Sequence, residues 1–301
     1  MHAPAYFDRM LAVLAYIDAH LDGDLRVETL GAVAAFSKHH FHRQFCALFG
    51  IGVHKYVRLC RLKRASFQLA FRRTTPVIEI ALAAGYDAPE AFARAFRKSF
   101  GQSPSEFREQ PHWEPWHAAF QPLRQLRIDH MTPDHQAAPV RIVAVDDIHV
   151  ALLAHRGDPQ RIGDTVRSFI AWRRQHRLPP AVSATFNILH DDPQQVAPHD
   201  FRLDLCAAFD GEVADNPYGV TGAVIPGGRC AVLRHVGSDE TLGETIRYLY
   251  AEWLPHSGEA LRDFPVYVQR LRFFPDVPEH EAVSDVFLPL RQPDYENGMS
   301  R

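Results

Sequence analysis

The chain has 301 residues, of which 46% are hydrophobic and 23% are charged, and its formal net charge is −3. This composition excludes disordered and collagen-like classes, and no apolar run reaches the roughly 18 residues that a membrane span requires. Residues 1–112 hold 15 basic and 10 acidic residues, whereas residues 113–301 hold 18 basic and 26 acidic ones. The length and this charge split predict two domains, of which the basic one suits a nucleic-acid partner.

A first amphipathic helix is predicted over residues 4–21, with its apolar side chains at helical spacing. Asp22, Gly23 and Asp24 end it. We expect this helix to pack beneath the elements that follow.

The stretch 27–108 is an internal repeat with an offset of 51 residues. Each copy reads as a short apolar helix, a tight turn and a second helix, which predicts two helix-turn-helix units. In the first copy Ser37 is the expected N-cap of the second helix. The residues that coincide are Phe41 with Phe92, Arg43 with Arg94, Phe45 with Phe96, Phe49 with Phe100, Gly50 with Gly101 and Tyr56 with Phe107.

The second helix of each unit has an apolar face and a polar one. Its phenylalanines recur at helical spacing and must face a core, so the opposite face is exposed. A basic exposed helix held by a preceding helix suits the major groove of DNA. The alternative is an ordinary solvated face, and two copies in register weigh against it. The candidate DNA-binding residues are Ser37, Lys38, His39, His42, Arg43, Glu90, Arg94, Arg97 and Lys98.

One continuous helix is predicted between the two units, over residues 53–72. At about 1.5 Å per residue it would be roughly 30 Å long, close to the roughly 34 Å of one turn of B-DNA. One chain could therefore place two recognition helices in successive major grooves on one face of double-stranded DNA.

Residues 5–110 resemble the DNA-binding domain of AraC/XylS-type transcription regulators. The resemblance rests on LRVETLGAVAAFSKHHFHRQFCALFG from Leu25 and on VIEIALAAGYDAPEAFARAFRKSFGQSPSEFR from Val77. It implies base or groove contacts from His39, His42 and Arg43, and from Arg94 in the second copy. Pro89, Glu90, Ala91 and Ala93 depart from the family, which often has glutamine or threonine there. The second unit is therefore expected mainly to grip phosphates, while the first reads bases.

Residues 111–138 are interpreted as a linker, because four prolines punctuate them, Pro139 follows directly and part of the stretch lacks apolar periodicity. Trp113, Trp116 and Phe120 are expected to pin its first part to a domain surface. The predicted domains are 1–110 and 139–292, with a tail at 293–301.

From residue 140 onward the pattern changes to eight strands and two helices. This half is also a repeat, now at an offset of 80 residues, in which Ala151, Leu153, His155 and Gly157 coincide with Ala231, Leu233, His235 and Gly237. Each copy reads as strand, turn, helix and further strand. Two such units predict an antiparallel sheet with both helices on one face, so the chain is an all-α domain followed by an α+β domain with pseudo-two-fold symmetry. The predicted strands are 140–145, 150–155, 184–189, 202–209, 222–225, 229–234, 266–271 and 285–290, and the predicted helices are 162–176 and 241–254.

Residues 140–291 resemble the GyrI-like effector-binding domain, which occurs behind AraC-type domains in Rob-like regulators. The resemblance rests on IPGGRCAVLRHVG from Ile225, WLPHSG from Trp253 and LRDFP from Leu261. It implies a cleft for small, often cationic or amphipathic molecules on the open face of the sheet. For each aromatic candidate, ordinary core packing is the competing interpretation. The candidate ligand-binding residues are Trp172, Phe186, Asp204, Tyr218, Trp253, Tyr267 and Val268.

Val268 departs from the family, since many members carry a glutamate at that place. Without that carboxylate the cleft lacks the partner that would offset the cost of burying a cationic ligand. Asp204 is the nearest substitute, although it could equally pair with Arg202. We therefore expect a neutral or hydrophobic ligand.

These features predict a DNA-binding transcription regulator whose second domain senses a small molecule. Two alternatives remain open for that domain, a hydrolase of small reactive compounds and a protein-interaction module. No enzyme motif is found and the four cysteines are scattered, so we expect no catalytic activity, no cofactor, no metal site and a cytoplasmic location. RNA polymerase is a further candidate partner, no membrane partner is expected, and the chain is expected to act as a monomer or a homodimer.

Overall fold

The computed structural model describes residues 3–131 and 139–292, and the predicted tail 293–301 lies outside the described residues. The chain forms two compact units. The first contains residues 1–132 together with two later segments, 237–241 and 272–282. The second contains the remainder of the chain. The first unit therefore extends beyond the predicted boundary at residue 110.

Eight helices build the first 131 residues, and the predicted double helix-turn-helix is present. The helices are α1 (Ala3–Ala19), α2 (Val27–Val33), α3 (Lys38–Phe49), α4 (Val53–Phe71), α5 (Val77–Ala83), α6 (Pro89–Phe100), α7 (Pro104–Glu109) and α8 (Trp113–His130). The pairs α2–α3 and α5–α6 are the two helix-turn-helix units.

The 51-residue repeat places equivalent residues in equivalent environments. Phe41 and Phe92 have no exposed surface, and neither do Phe45 and Phe96. Helices α3 and α6 both end at a glycine in the left-handed conformation, Gly50 at φ 70° and Gly101 at φ 73°. A side chain with a Cβ rarely adopts this conformation, which is why both units have glycine at the helix end.

The predicted linker is wrong over most of its length, because Trp113–His130 forms helix α8. Pro115 lies in the first turn, where a missing N–H costs little, and Pro122 is accommodated inside the helix. Buried apolar side chains stabilise the helix in spite of that proline, and Trp116 Nε1 donates a hydrogen bond of 2.7 Å to Ser66 Oγ on α4. The remaining part of the predicted linker, 132–138, lies outside the described residues. The buried apolar residues of α8 are Trp113, Trp116, Phe120, Leu123 and Leu126.

All eight predicted strands are present and form one sheet. They are β1 (Arg141–Val145), β2 (Ile148–Arg156), β3 (Thr185–Leu189), β4 (Arg202–Ala208), β5 (Thr221–Ile225), β6 (Gly228–Val236), β7 (Tyr267–Arg272) and β8 (Val283–Pro289). Their order across the sheet is β1-β6-β8-β7-β3-β4-β2-β5. The order is symmetric about the centre between β7 and β3, as expected for two copies of one unit.

Both helices of the second unit cover the same face of the sheet. Helix α9 (Ile162–Gln175) packs on the side chains of β2 and β4. Helix α10 (Leu242–Tyr248), which continues through a π-helical turn at Leu249–Trp253, packs on those of β6, β7 and β8. The repeat extends to polar contacts, since the Nδ1 atoms of His155 and His235 each lie 2.8 Å from a helix threonine hydroxyl, Thr165 and Thr245.

Within the described residues, no helix of the second unit contributes to the apolar cluster on the other face of the sheet, and the sheet curls around that cluster. Side chains from both edge strands, Val143 on β1 and Ala223 on β5, pack against the same apolar cluster on this face. The connection between β1 and β2 also meets the one between β5 and β6, where Gly227 N donates to Asp147 Oδ1 at 2.6 Å. The helix-free face is therefore the inside of a curved sheet.

Candidate functional site

Helix α3 presents its predicted DNA-binding residues to solvent. Phe41, Phe45 and Phe49 are buried on the inner side of the helix, which turns the opposite side outward. Ser37 is the N-cap residue, although its side chain makes no capping hydrogen bond. The exposed candidates on this helix and its cap are Ser37, Lys38, His39, His42 and Arg43.

Helix α6 repeats this arrangement with a different set of polar residues. Arg97 Nη2 lies 3.4 Å from Glu106 Oε2, so this guanidinium already has an acidic neighbour. The described structure gives no acid within ion-pair distance of Lys98. The exposed candidates on α6 are Glu90, Arg94, Arg97 and Lys98.

A basic cavity between the two helix-turn-helix units adds residues that the sequence did not single out. It has a volume of about 350 Å³, and its charged and aromatic lining residues are Asp24, Arg26, His54, Arg58, Arg61 and Tyr86. Asp24 pairs with Arg26 at 2.7 Å, so the basic character comes mainly from Arg58 and Arg61 on α4. The Arg61 guanidinium is fixed by donating to the carbonyl oxygens of residues 21 and 23. The positive charges between the two units indicate that the basic surface continues along α4. The charged residues of the spacer helix were the available signal in the sequence.

Three predicted ligand-binding residues lie on the inner face of the curved sheet, namely Phe186, Tyr267 and Asp204. Phe186 on β3 and Tyr267 on β7 belong to one buried apolar cluster there. The Tyr267 ring stacks on Phe287 with 4.8 Å between centroids and 7° between planes. Its hydroxyl lies 3.7 Å from Cys230 Sγ, and burial raises the pKa of the phenol well above its usual value.

The other four predicted lining residues lie elsewhere. Trp172 belongs to α9, and Tyr218 packs against the same helix-covered cluster. Val268 and Trp253 belong to the cluster beneath α10. Side chains alternate along a strand, so Val268 points away from the face that its neighbour Tyr267 occupies. The missing glutamate at Val268 therefore says nothing about the charge of the inner face.

Asp204 does lie on the inner face, but with partners other than the one expected from the sequence. Its carboxylate is 2.8 Å from Arg156 Nη1 and 2.6 Å from His190 Nε2. Arg202 pairs instead with Asp191, at 2.8 Å.

A second acid occupies the symmetric position in the other half of the sheet. Asp285 on β8 is 2.8 Å from Arg234 Nε on β6. Asp204 and Asp285 are the only acidic residues in the eight strands, and each is paired with an arginine. The inner face therefore holds no carboxylate left free for a cationic ligand within these strands.

Comparison with known proteins agrees with this architecture. Residues 138–291 match the family described as the GyrI-like small molecule binding domain, and residues 30–110 match a helix-turn-helix domain. The chain belongs to the GyrI-like family. With its AraC-type helix-turn-helix region it is a DNA-binding transcriptional regulator of the AraC family, similar to Rob.

The two sequence relatives named here each match half of this GyrI-like regulator or less. The probable transcriptional regulator YgiV of Escherichia coli is 38% identical over 152 residues, which is 50% of this chain and 95% of YgiV. The right origin-binding protein of Escherichia coli is 34% identical over 126 residues, which is 41% of this chain and 42% of that protein. The EcmrR–DNA complex, solved by cryo-electron microscopy, aligns over 85% of both chains with 12% identity and a TM-score of 0.44.

Within residues 3–131 and 139–292, no helix is both long enough and apolar enough to cross a membrane.

Proposed function

We propose that the GyrI-like domain of this AraC-family regulator senses a neutral or hydrophobic small molecule, and that its occupancy alters DNA binding or a contact with RNA polymerase. The observation that carries the proposal is the inner face of the sheet. In the part of the second unit that the structure describes, no helix contributes to this face, which is lined by apolar and aromatic side chains that include Phe186, Tyr267 and Phe287. Apolar concave surfaces with a few polar groups are where proteins bind small molecules.

The charges of this face support a neutral ligand. A cationic ligand would have to compete with Arg156 for Asp204 and with Arg234 for Asp285. Displacing an arginine from a partly buried carboxylate leaves charges less well paired, which is unfavourable. A neutral aromatic molecule needs only to separate apolar side chains, and it can stack on the Tyr267 ring.

Ligand entry requires a local opening, because Tyr267 has no exposed surface. The contact between Gly227 and Asp147 holds the two edge turns of the sheet together at 2.6 Å. Separating these turns would expose the aromatic cluster. A ligand that binds the opened state better than the closed one shifts the population toward it, as sensing requires.

We also propose that the domain is not an enzyme. The Tyr267 hydroxyl has a thiol as its polar neighbour, not a carboxylate that could act as a base. Burial raises the pKa of Cys230 as well, so this thiol is a poor nucleophile near neutral pH.

The test is thermal unfolding of the full chain against three naphthalene derivatives that carry a neutral hydroxyl, a carboxylate or a quaternary ammonium group. The neutral compound should raise the melting temperature progressively with concentration, since ligand at 100 times its Kd adds about 2.7 kcal/mol of stability. In Tyr267→Leu the shift should disappear. Phe169→Leu, which replaces a buried aromatic residue under the opposite face, is the matched control and should keep it.

The other outcomes distinguish the alternatives. Stabilisation by the ammonium compound alone would overturn the neutral-ligand proposal. The side chains that already fill the inner face favour a second candidate, a protein-interaction module. The absence of any shift across the series would support that candidate instead. Release of a hydrolysis product from an ester of the same naphthol would contradict the non-enzymatic assignment.

A further inference from the structure

The first unit contains a buried cluster of charged residues that the DNA-binding surface does not use. Two members, Glu240 and Glu279, come from the segments 237–241 and 272–282. The others come from the helical region, with Lys63 on α4 at the centre. No side chain in the cluster is more than 14% exposed. The cluster consists of Asp18, Lys63, Arg127, Glu240 and Glu279.

Short ion pairs connect these residues. Lys63 Nζ lies 2.6 Å from Glu240 Oε1 and 2.7 Å from Glu279 Oε1. Arg127 Nη2 on α8 lies 2.8 Å from Asp18 Oδ1 on α1 and 3.1 Å from Glu279 Oε2. Glu279 thus bridges the two buried cations, and through them it connects α4 to α8.

The pKa shifts of Glu279 and Lys63 indicate that their ion pairs outweigh the cost of burying their charges. Burial opposes the charge on Glu279, but Arg127 and Lys63 outweigh burial and lower the pKa of this carboxyl to about 2. Burial likewise opposes the charge on Lys63, and its ion pairs with Glu240 and Glu279 raise the pKa above its usual value. Removing Glu279 would leave Lys63 paired with Glu240 and Arg127 paired with Asp18, so each buried cation would lose one of its partners, which is unfavourable.

The segment 272–282 holds α4 at two further points. The rings of Phe67 and Phe274 lie 5.0 Å apart in an edge-to-face contact. Arg72, at the end of α4, donates from Nε to Asp276 Oδ1 at 2.6 Å. With Lys63, these contacts follow the second half of the helix that spaces the two helix-turn-helix units.

We propose that Glu240 and Glu279 are positioning residues for DNA recognition, which hold α4 and thereby set the spacing and angle between α3 and α6. In sequence, residues 237–241 follow β6 directly, and residues 272–282 join β7 to β8. A movement of these three strands therefore reaches α4 through two glutamates, without passing through residues 132–138. This last step rests on the proposed sensing function, whereas the positioning role does not.

The test measures how strictly the full chain reads the distance between two half-sites. A duplex is first selected by the wild-type chain from a random pool. Its Kd is then compared with those of duplexes carrying 2 or 5 extra base pairs between the half-sites. Wild type should lose about ten-fold or more in affinity on the insertions, because two linked modules lose their joint advantage when geometry forbids simultaneous engagement.

Glu279→Gln should bind the selected duplex more weakly and discriminate against the insertions by less than about three-fold, since a loosened α4 permits more than one spacing. Glu281→Gln is the matched control. Glu281 lies in the same segment but pairs with the half-exposed Arg272. The Glu281→Gln variant should therefore discriminate between the duplexes as wild type does. The ratio of the Kd on the inserted duplexes to the Kd on the selected duplex separates positioning from a merely structural role. A structural defect would weaken binding to all the duplexes equally and leave this ratio unchanged.

Glu240→Gln replaces Glu279→Gln in the spacing experiment if the latter variant does not fold. It leaves Lys63 paired with Glu279 and balances the cluster at two cations and two carboxylates. Spacing discrimination equal to wild type in the folded variants would overturn the inference. A ligand series without any melting shift would overturn the sensing proposal instead, and it would leave the spacing result standing.

Discussion

Arg43 and Arg97 are both exposed basic residues, but their surroundings differ. Within the described structure no acid lies within ion-pair distance of Arg43, whereas Arg97 lies 3.4 Å from Glu106. Arg43 is also at the middle of α3, where a recognition helix approaches base edges. Arg97 is in the last turn of α6, which suits contact with a phosphate.

We expect Arg43→Ala to cost about 1–3 kcal/mol on a selected duplex and to relax its base preference, because a lost base contact affects only the matching sequence. Arg97→Ala should weaken binding similarly on selected and scrambled duplexes, and lower the salt slope by about one. Fluorescence anisotropy titrations at salt concentrations from about 50 to about 200 mM check both predictions, because DNA binding releases counterions and is therefore weakened by salt. Unchanged binding by both variants would show that α3 and α6 do not read DNA.

At the scale of single residues, the sequence predicted the buried face of the helices better than the lining of the sheet. Phe41 and Phe92 were recognisable because the repeat compares them directly. Tyr267 and Val268 were both assigned to the inner face, whereas the structure places Tyr267 there and Val268 beneath the helices on the other face. A shift of one residue reverses every side chain of a strand, and neither pattern nor resemblance resolves a single position.

At the scale of elements, helix α8 shows where local rules were overridden. Its prolines predicted a linker, but Trp116 and Phe120 bury enough apolar surface against α4 and its neighbours to stabilise the helix through Pro122. Tertiary packing commonly outweighs local propensity. The buried Lys63 was equally unpredictable, because its partners Glu240 and Glu279 are 177 and 216 residues away in the sequence.

The folded-state pKa of Glu279 makes its contribution to stability dependent on pH. Its pKa is lowered from 4.5 to about 2, so its ion pairs stabilise the protein above about pH 4.5 and are lost as the pH falls toward 2. At pH 7 we expect Glu279→Gln to lower the free energy of unfolding by about 3 kcal/mol, since one pKa unit corresponds to about 1.4 kcal/mol, and this difference should shrink between pH 4.5 and 2.

Urea unfolding of both proteins at pH 7, 4 and 3 measures this difference. Asp18 contributes in the opposite direction, because burial and the charge of Glu279 both raise its pKa. Comparing each variant with wild type at the same pH cancels only the part of this contribution that is due to burial. Glu281→Gln should show a small difference at every pH, because exposed ion pairs contribute little. A difference for Glu279→Gln that stays constant from pH 7 to 3 would contradict the assigned role.

At the scale of the whole molecule, duplication accounts for most of the architecture. The 51-residue repeat supplies two candidate recognition helices in one chain, and the 80-residue repeat supplies the two halves of one curved sheet. The charge follows the same division, with the excess of basic residues in 1–112 and the excess of acidic residues in 113–301. Because like charges repel, the acidic half is unsuited to lie along DNA.

This duplication leads to an expectation about stoichiometry. Most helix-turn-helix proteins place two reading helices on one face of DNA by dimerising. Here α4, with 19 residues, spans roughly 28 Å at about 1.5 Å per residue, so α3 and α6 of one chain can reach successive major grooves. We therefore expect one chain per bipartite duplex, measured by sedimentation of the complex with a selected duplex.

Scrambling one half-site provides the control. The complex should still contain one chain, but its Kd should rise, because one recognition helix then makes only non-specific contacts. Two chains on the intact duplex and one on the scrambled duplex would mean that each chain reads a single half-site. In that case the second helix-turn-helix unit would serve only to hold the first one in place, and the basic residues of α6 would make no contribution to specificity.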